Sequence, residues 1–392
     1  MERKYQIILY GATGFTGKLC AEYFKENYPD LNWAIAGRNA DKLRELKEEL
    51  KLECDIFVAD SNDYEAIKNF VIQTKVVLSA AGPFARYSTK VVEACVECKT
   101  HYTDITGENH WVKGLIDRFH EKAALDGTRI VPSCGYDSIP SDLGVYFSVT
   151  RSKQPVSHVT VYHSAKGGAS GGTTETMFTM GPLPKEMRDP FLLNPKDSVS
   201  DAQKNKSVDD FSVKPIPGTD AFSGMGLMAF ANTRVVRRSA ALFDLNQKSY
   251  GPDFTFKELG SYPSKAAARI TSFVLMSAFL IIATPLRYLV RPFLPKPGDG
   301  PNKEARDNGW FRGLFVANLE DGSEKRFEIF GSGDPGYKST SKMVCESALT
   351  LAFSEDLPFG SEFGGVLTSA VGLGDPLISR LMKAGITFEE LS

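Results

Sequence analysis

The chain has 392 residues, too many for one ordinary domain and enough for two. With 42% hydrophobic residues, 24% charged residues and a net charge of −2, it is globular and offers no basic field for a nucleic-acid partner. Six cysteines are scattered, with one CxxC at Cys95 and Cys98, and the five histidines show no HxxxH spacing. Reduced, packed thiols in a cytosolic compartment are expected, and no metal site. The opening MERKYQIILYG enters an apolar run at once, so no secretory leader is expected.

In chain order, an apolar strand at Tyr5 to Tyr10 runs straight into GATGFTG, Gly11 to Gly17, followed by a helix over Lys18 to Asn27 and a strand at Trp33 to Gly37. Strand, glycines three apart, then helix is how a Rossmann unit receives a dinucleotide. Gly11 allows the tight turn, Gly14 lets the backbone approach the pyrophosphate, and Gly17 lets helix and strand pack closely. Thr13, Phe15 and Thr16 complete this cradle. After the second strand comes AGRN, with no carboxylate to hold a ribose 2′-hydroxyl. Arg38, with Asn39 and Lys42 beside it, suits a 2′-phosphate, so the cofactor is read as NADP(H). The competing reading of Arg38 is a solvated surface residue.

Helices and strands then alternate. Helices are expected at Asp41 to Lys51, Tyr64 to Ile72, Thr89 to Cys98 and Trp111 to Leu125. Strands are expected at Asp55 to Ala59, Lys75 to Ala80, Tyr102 to Asp104 and Arg129 to Val131. This predicts an α/β fold with an N-terminal doubly wound parallel sheet over residues 1–150. Ligands bind such sheets at the carboxyl ends of the strands. The turns expected there are Asp60-Ser61, Ala81-Gly82-Pro83-Phe84, Asp104 to Glu108, and Ser133 to Ser138, which contains Cys134 and Gly135. Phe84 is read either as stacking on a cofactor ring or as a packed aromatic.

From about Val156 the texture changes. A strand at Val156 to Tyr162 leads to KGGASGGTTET, Lys166 to Thr176, read as a flexible loop or a backbone-lined wall of the site. Asp189 to Thr219 reads as an irregular surface insertion. Strands are expected at Phe315 to Leu319 and Lys325 to Gly331, and helices at Thr340 to Phe353 and Asp375 to Ala384. Ile270 to Leu286 carries no charge over 17 residues, with Arg269 before it and Arg287 and Arg291 after it. We read it as attaching to a membrane or lipid surface. A buried core helix and a marginal transmembrane span are the alternatives.

Several of these stretches together resemble the saccharopine dehydrogenase-like oxidoreductase family, which includes the trans-acting enoyl reductases. They are GATGFTG with AGRN, AAGPF at Ala80 to Phe84, YTDITGE at Tyr102 to Glu108 and CGYDSIPSDLG at Cys134 to Gly144. KGGASGGT at Lys166 to Thr173, NGWFRG at Asn308 to Gly313, and the stretch from Gly364 to Glu389 also fit. The resemblance implies a Rossmann NADP-binding domain completed by the C-terminal segment 335–392. It also implies a second mixed α/β domain over 151–334 that carries the lipid-prone helix 270–286. It implies a cytoplasmic protein, peripheral on a membrane or lipid droplet, and a lipophilic substrate. In the bacterial branch the reaction is reduction of carbon–carbon double bonds on acyl chains made by a partner synthase. A homodimer is left open.

Hydride transfer needs an anchored nicotinamide, an electrophilic carbon and a proton source. The candidates for the last are Tyr136, Asp137, His163 and Lys166. Tyr102, Asp104, Tyr337 and Lys338 are further ones, and solvent is an alternative. No spacing selects among them, no TyrxxxLys pair is present, and helix capping is the competing role of Asp137. The expected function is an NADP(H)-dependent oxidoreductase that reduces an enoyl or carbonyl group of an acyl or isoprenoid chain. The alternative is a non-catalytic lipid-droplet or membrane protein that binds NADP(H) structurally or as a sensor.

Overall fold

A computed structural model describes residues 3–167, 188–291 and 300–392, so most of the Lys166 to Thr176 stretch lies outside the described residues. The N-terminal strands are β1 (Tyr5–Tyr10), β2 (Trp33–Gly37), β3 (Asp55–Val58), β4 (Thr74–Ser79), β5 (His101–Asp104) and β6 (Arg129–Val131). The helices among them are α1 (Phe15–Asn27), α2 (Ala40–Glu49), α3 (Tyr64–Val71), α4 (Phe84–Tyr87), α5 (Thr89–Cys98) and α6 (Asn109–Leu125), with α7 (Ile139–Ser152) after β6. Next come β7 (Val156–Lys166), α8 (Asp201–Lys206), β8 (Phe222–Gly224), α9 (Ala229–Leu245), β9 (Thr255–Tyr262), α10 (Lys265–Ile282), α11 (Arg287–Val290) and α12 (Lys303–Asp307). The chain closes with β10 (Trp310–Leu319), β11 (Glu324–Ser332), a π-helical turn at Pro335–Ser339, α13 (Thr340–Phe353), β12 (Gly365–Val366), α14 (Ser369–Gly372), α15 (Gly374–Lys383) and β13 (Ile386–Leu391).

Seven strands form the first sheet, in the order β12-β6-β5-β4-β1-β2-β3, with every pairing parallel. This is the doubly wound α/β sheet expected from the alternation. Strands β1, β2 and β4 are apolar on both faces because helices cover both. The order in which strands are added reverses between β1 and β4, and the ligand crevice of such folds opens there. The second sheet is mixed, β13-β11-β10-β7-β9-β8, with only β7 and β9 parallel.

The C-terminal stretch serves both sheets. Helix α13 packs over β1, β4 and β5, β12 extends the first sheet beside β6, and β13 extends the second beside β11. Helix α7, which follows the last central strand of the first sheet, lies against β10 and β11. There Gly144 leaves room for the Phe315 ring, which a Cβ would meet at 2.1 Å. One core cluster therefore runs from Ile7 and Leu9 through Leu143 and Leu349 to Phe315 and Phe327.

One expectation needs correction, and one alternative is excluded. The Asp189–Thr219 stretch is irregular apart from α8, but it is not a surface insertion, since Leu193 is buried and buried arginines of α9 reach its backbone. The apolar helix is not a core helix. In α10 only Ala268 is buried, while Ile270, Phe273, Val274 and Leu280 are 56–74% exposed.

Candidate functional site

The glycine loop leaves β1 at Gly11, whose φ of +81° disfavours any side chain and whose added Cβ would stand 2.7 Å from the Ala81 backbone nitrogen. A Cβ on Gly17 would stand 2.3 Å from the Gly11 carbonyl oxygen, so only glycine lets α1 start this close. Thr13 and Gly14 are exposed, and Phe15 and Thr16 half-exposed, at the N-terminus of α1, where the first backbone N–H groups have no partner within the helix. No acidic residue lies in that first turn. Those donors and the helix dipole suit a pyrophosphate, with no side chain competing for them.

Just past β2, Arg38 is exposed and its guanidinium carbon lies 5.7 Å from the centre of the Tyr87 ring. Asn39 caps α2 by accepting from the Lys42 backbone N–H at 3.0 Å, so its oxygen is engaged locally, and the Lys42 side chain is exposed. Asp60 is exposed at the end of β3 and turned onto Asn62, with Ser61 half-exposed beside it. The Ala81–Phe84 turn reaches the crevice through Ala81 and Gly82, while Pro83 and Phe84 are buried. The Phe84 ring packs 6.0 Å from Trp111, which corrects its reading as a stacking platform. Glu108, which the sequence did not single out, fixes this turn by accepting from the Phe84 and Ala85 backbone N–H groups at 2.8 and 3.1 Å.

Several candidates are spent on structure. Asp104 is fully buried and accepts from the backbone N–H groups of Thr106 and Ser133, both at 2.9 Å, and from the Tyr102 hydroxyl at 2.8 Å. It ties the β5 turn to the β6 turn, and burial pushes its pKa up to about 7. Neither it nor Tyr102 faces the crevice. Cys134 is also a correction. Its thiol is fully buried on the Val131 carbonyl, with its pKa pushed up by burial to about 12, and Gly135 is covered by Ile105 and Thr340. Tyr337 is buried edge-on to Phe15, and Lys338 pairs with Asp307. Lys166 stands on the opposite face of β7 from His163, because strand side chains alternate, and it is exposed at the strand end.

What the fold does bring together is Tyr136, Asp137 and His163. The Tyr136 backbone N–H donates to Thr340 Oγ1 at 3.0 Å, and its ring packs edge-on to Phe311 and His163. Asp137 lies over Gly107, and a Cβ there would be 3.6 Å from its Oδ2. Among the described residues its carboxyl has no hydrogen-bond partner, and burial raises its pKa to about 6. Capping does not use it. Behind them is a polar network of residues that the sequence gave no reason to pick. Ser141 Oγ lies 2.9 Å from His163 Nε2, 2.7 Å from Glu258 Oε2 and 3.2 Å from Asn232 Nδ2, which also donates to Glu258 Oε1 at 2.9 Å. Burial raises Glu258 to about 7, against the opposing hydrogen bonds from Ser141 and Asn232, and lowers His163 to about 4. His163 Nε2 and Glu258 Oε2 are 3.8 Å apart, yet the imidazole is neutral near pH 7, so this is no ion pair. The hydrogen-bond inventory admits two proton arrangements. With Glu258 ionised, His163 donates to Ser141, which donates to the carboxylate. With Glu258 protonated, the direction reverses.

Residues 7–131 match the family model of the saccharopine dehydrogenase NADP binding domain. Over 416 residues, 99% of this chain and 97% of the relative, the sequence is 34% identical to a Mycobacterium tuberculosis protein assigned to the trans-acting enoyl reductases. It is 33% identical to the trans-acting enoyl reductase of Mycobacterium ulcerans, covering 98% of this chain and 97% of that one. The chain belongs to the saccharopine dehydrogenase-like oxidoreductase family. It is an NADP-dependent oxidoreductase, and the glycine cradle and Arg38 are the residues that fit NADP(H). Solved structures agree on the fold alone. An apo saccharopine dehydrogenase (L-Glu forming) from Saccharomyces cerevisiae superposes with a TM-score of 0.55 at 13% identity, covering 99% of this chain and 100% of that one. A homospermidine synthase from Legionella pneumophila reaches 0.56 at 8% identity, covering 99% and 92%.

Proposed function

We propose that this oxidoreductase reduces an enoyl or carbonyl group on a lipophilic acyl or isoprenoid chain, working while attached to a lipid surface. The observation that carries the reading is α10. Ile270, Phe273, Val274 and Leu280 point outward from it, and Lys265 to Arg291 holds four basic residues and no acidic one. An apolar face edged by cations suits an interface with anionic headgroups. An enzyme that rests on lipid meets its substrate there. The enoyl-reductase names of the relatives support the bond type.

When bound, NADPH supplies a hydride to the electrophilic carbon of the substrate. The protein has to place the substrate and provide a proton. In this reading the Tyr136 phenol, whose pKa burial holds above its ordinary value, donates a hydrogen bond to the substrate carbonyl and draws electron density onto its oxygen. Asp137, whose pKa burial raises to about 6, delivers the proton that completes the reduction, and the buried apolar wall around Phe311 keeps water away.

Incubation with a whole-lipid extract and NADPH deuterated at its transferable position tests this. One added deuterium in a lipid, read by mass spectrometry, is the expected result. A parallel incubation with unlabelled NADPH in D2O identifies the bond. There carbon–carbon reduction leaves one non-exchangeable deuterium, on the carbon next to the one that takes the hydride, and carbonyl reduction leaves only an exchangeable one on oxygen. Label appearing solely in water-soluble compounds would overturn the lipophilic substrate.

A further inference from the structure

The Arg38 guanidinium does not stand alone. Helix α4 follows the Ala81–Phe84 turn and carries Arg86 and Tyr87 toward the end of β2. The Arg86 guanidinium carbon lies 5.2 Å from the centre of the Tyr87 ring, the same ring that carries Arg38 at 5.7 Å. Both arginines are exposed, and among the described residues neither has an ion-pair partner. The nearby carboxylates are engaged elsewhere, Asp41 on Arg44 and Asp60 on Asn62.

Two guanidinium groups near one ring form an arrangement of like charges, each drawn to the ring and screened by water. It becomes favourable when a group with two negative charges sits between their free N–H edges. Guanidinium is planar and offers paired donors that match phosphate oxygens, and a ring beneath it fixes the plane while leaving those edges open. The turn that brings Arg86 here is the one whose Ala81 backbone lies against Gly11, and Glu108 holds the same turn from below. The second arginine is therefore fixed relative to the pyrophosphate cradle.

We propose that Arg86, held by Tyr87, forms with Arg38 a two-arginine clamp on the 2′-phosphate of NADP(H), so that cofactor choice rests on α4 as well as on the end of β2. The proposal builds on the NADP assignment and adds Arg86 and Tyr87 to it. The clamp is expected to act on the phosphate alone, because Arg38 directly follows β2, where the fold places the adenosine ribose, and Arg86 shares its Tyr87 ring.

The test is equilibrium binding by the purified protein, without turnover. Dissociation constants are measured for NADPH and NADH by nucleotide fluorescence, and for 2′,5′-ADP and 5′-AMP by calorimetry. Arg86→Ala is expected to weaken NADPH and 2′,5′-ADP by about 10- to 100-fold and to leave NADH and 5′-AMP within about twofold. Tyr87→Leu should show the same selectivity with a smaller loss, while Tyr87→Phe, which keeps the ring, should bind as the native protein does. Arg38→Ala serves as the reference for a direct phosphate contact. If Arg38→Ala is selective and Arg86→Ala is not, the clamp fails and the NADP assignment stands. Equal loss for all four ligands would mean that Arg86 packs on the adenine, which also overturns it. A melting curve for each variant shows that the protein binding ligand is folded.

Discussion

At the residue scale the unusual group is Glu258, a carboxyl enclosed by Ser141, Asn232 and His163 with 3% of its side chain exposed. Its pKa is raised from 4.5 to about 7 in the folded protein. Between those values the folded state keeps a proton that the unfolded chain has lost. The stability from this group is therefore fully present below about pH 4.5 and is lost as pH rises through 7. Glu258→Gln stays neutral at every pH. Its stability relative to the native protein should increase by on the order of 2–3 kcal/mol between pH 5 and pH 8. Urea unfolding at the two values measures this, and a constant difference would mean that Glu258 is ionised in the fold. His163 works in the opposite direction, being lowered to about 4, so the comparison must be made within one variant pair and not across the native curve. Arg38 could be read from the sequence because it directly follows β2, where the local code places the ribose contact. Glu258 could not, because its partners Ser141 and Asn232 lie 117 and 26 residues away and no short pattern joins them.

At the scale of elements, α10 shows what a pattern can and cannot reveal. Its length, its mean hydropathy of 1.6 and its basic flanks are properties of consecutive residues, so they were visible in the sequence. Its exposed face was not, because a helix apolar all round has no polar face to mark it. Leu275, Phe279 and Ile282, which share one helix face at i, i+4 and i+7, are half-buried, and Phe279 packs on Phe230 at 5.8 Å. The outward residues are Ile270, Phe273, Val274 and Leu280. Replacing Phe273, Val274 and Leu280 with Ser should abolish co-sedimentation with vesicles of mixed neutral and anionic phospholipid, with little change in the melting temperature. A soluble variant that still sediments would place attachment elsewhere, and a destabilised one would show the face to be packed. Helix α9 was missed for a related reason. Arg234, Arg237 and Arg238 make its sequence look solvated, yet they are buried under the irregular 189–210 stretch. That stretch supplies Asp209 to Arg234 and Arg237, and the Leu193 carbonyl to Arg238.

At the scale of the whole molecule, buried guanidinium groups bind the C-terminal segment to the rest. Arg129 is 1% exposed and donates to the carbonyls of Gly372, Pro358 and Gly360 at 2.6–2.8 Å, with the Phe363 ring 5.7 Å from its guanidinium carbon. Arg238 reaches the Val366 carbonyl at 2.7 Å from the other side of the same segment. Between them β12 pairs with β6, and α13 lies across β1 and β4 beneath the cofactor crevice. Residues 340–392 thus close the core under the glycine loop and also edge the second sheet through β13. Both sheets should therefore unfold together. Arg129→Ala removes the shared donor and leaves three buried carbonyls without it. The expected cost is about 3–5 kcal/mol, as for breaking other buried charged contacts. In urea unfolding the midpoint should fall while the slope stays constant, because the same surface is exposed in one transition. Saturating NADPH should raise both midpoints, since it binds only the folded form. A variant that unfolds in two steps, losing the first sheet's signal before the second's, would show that the C-terminal segment does not couple them.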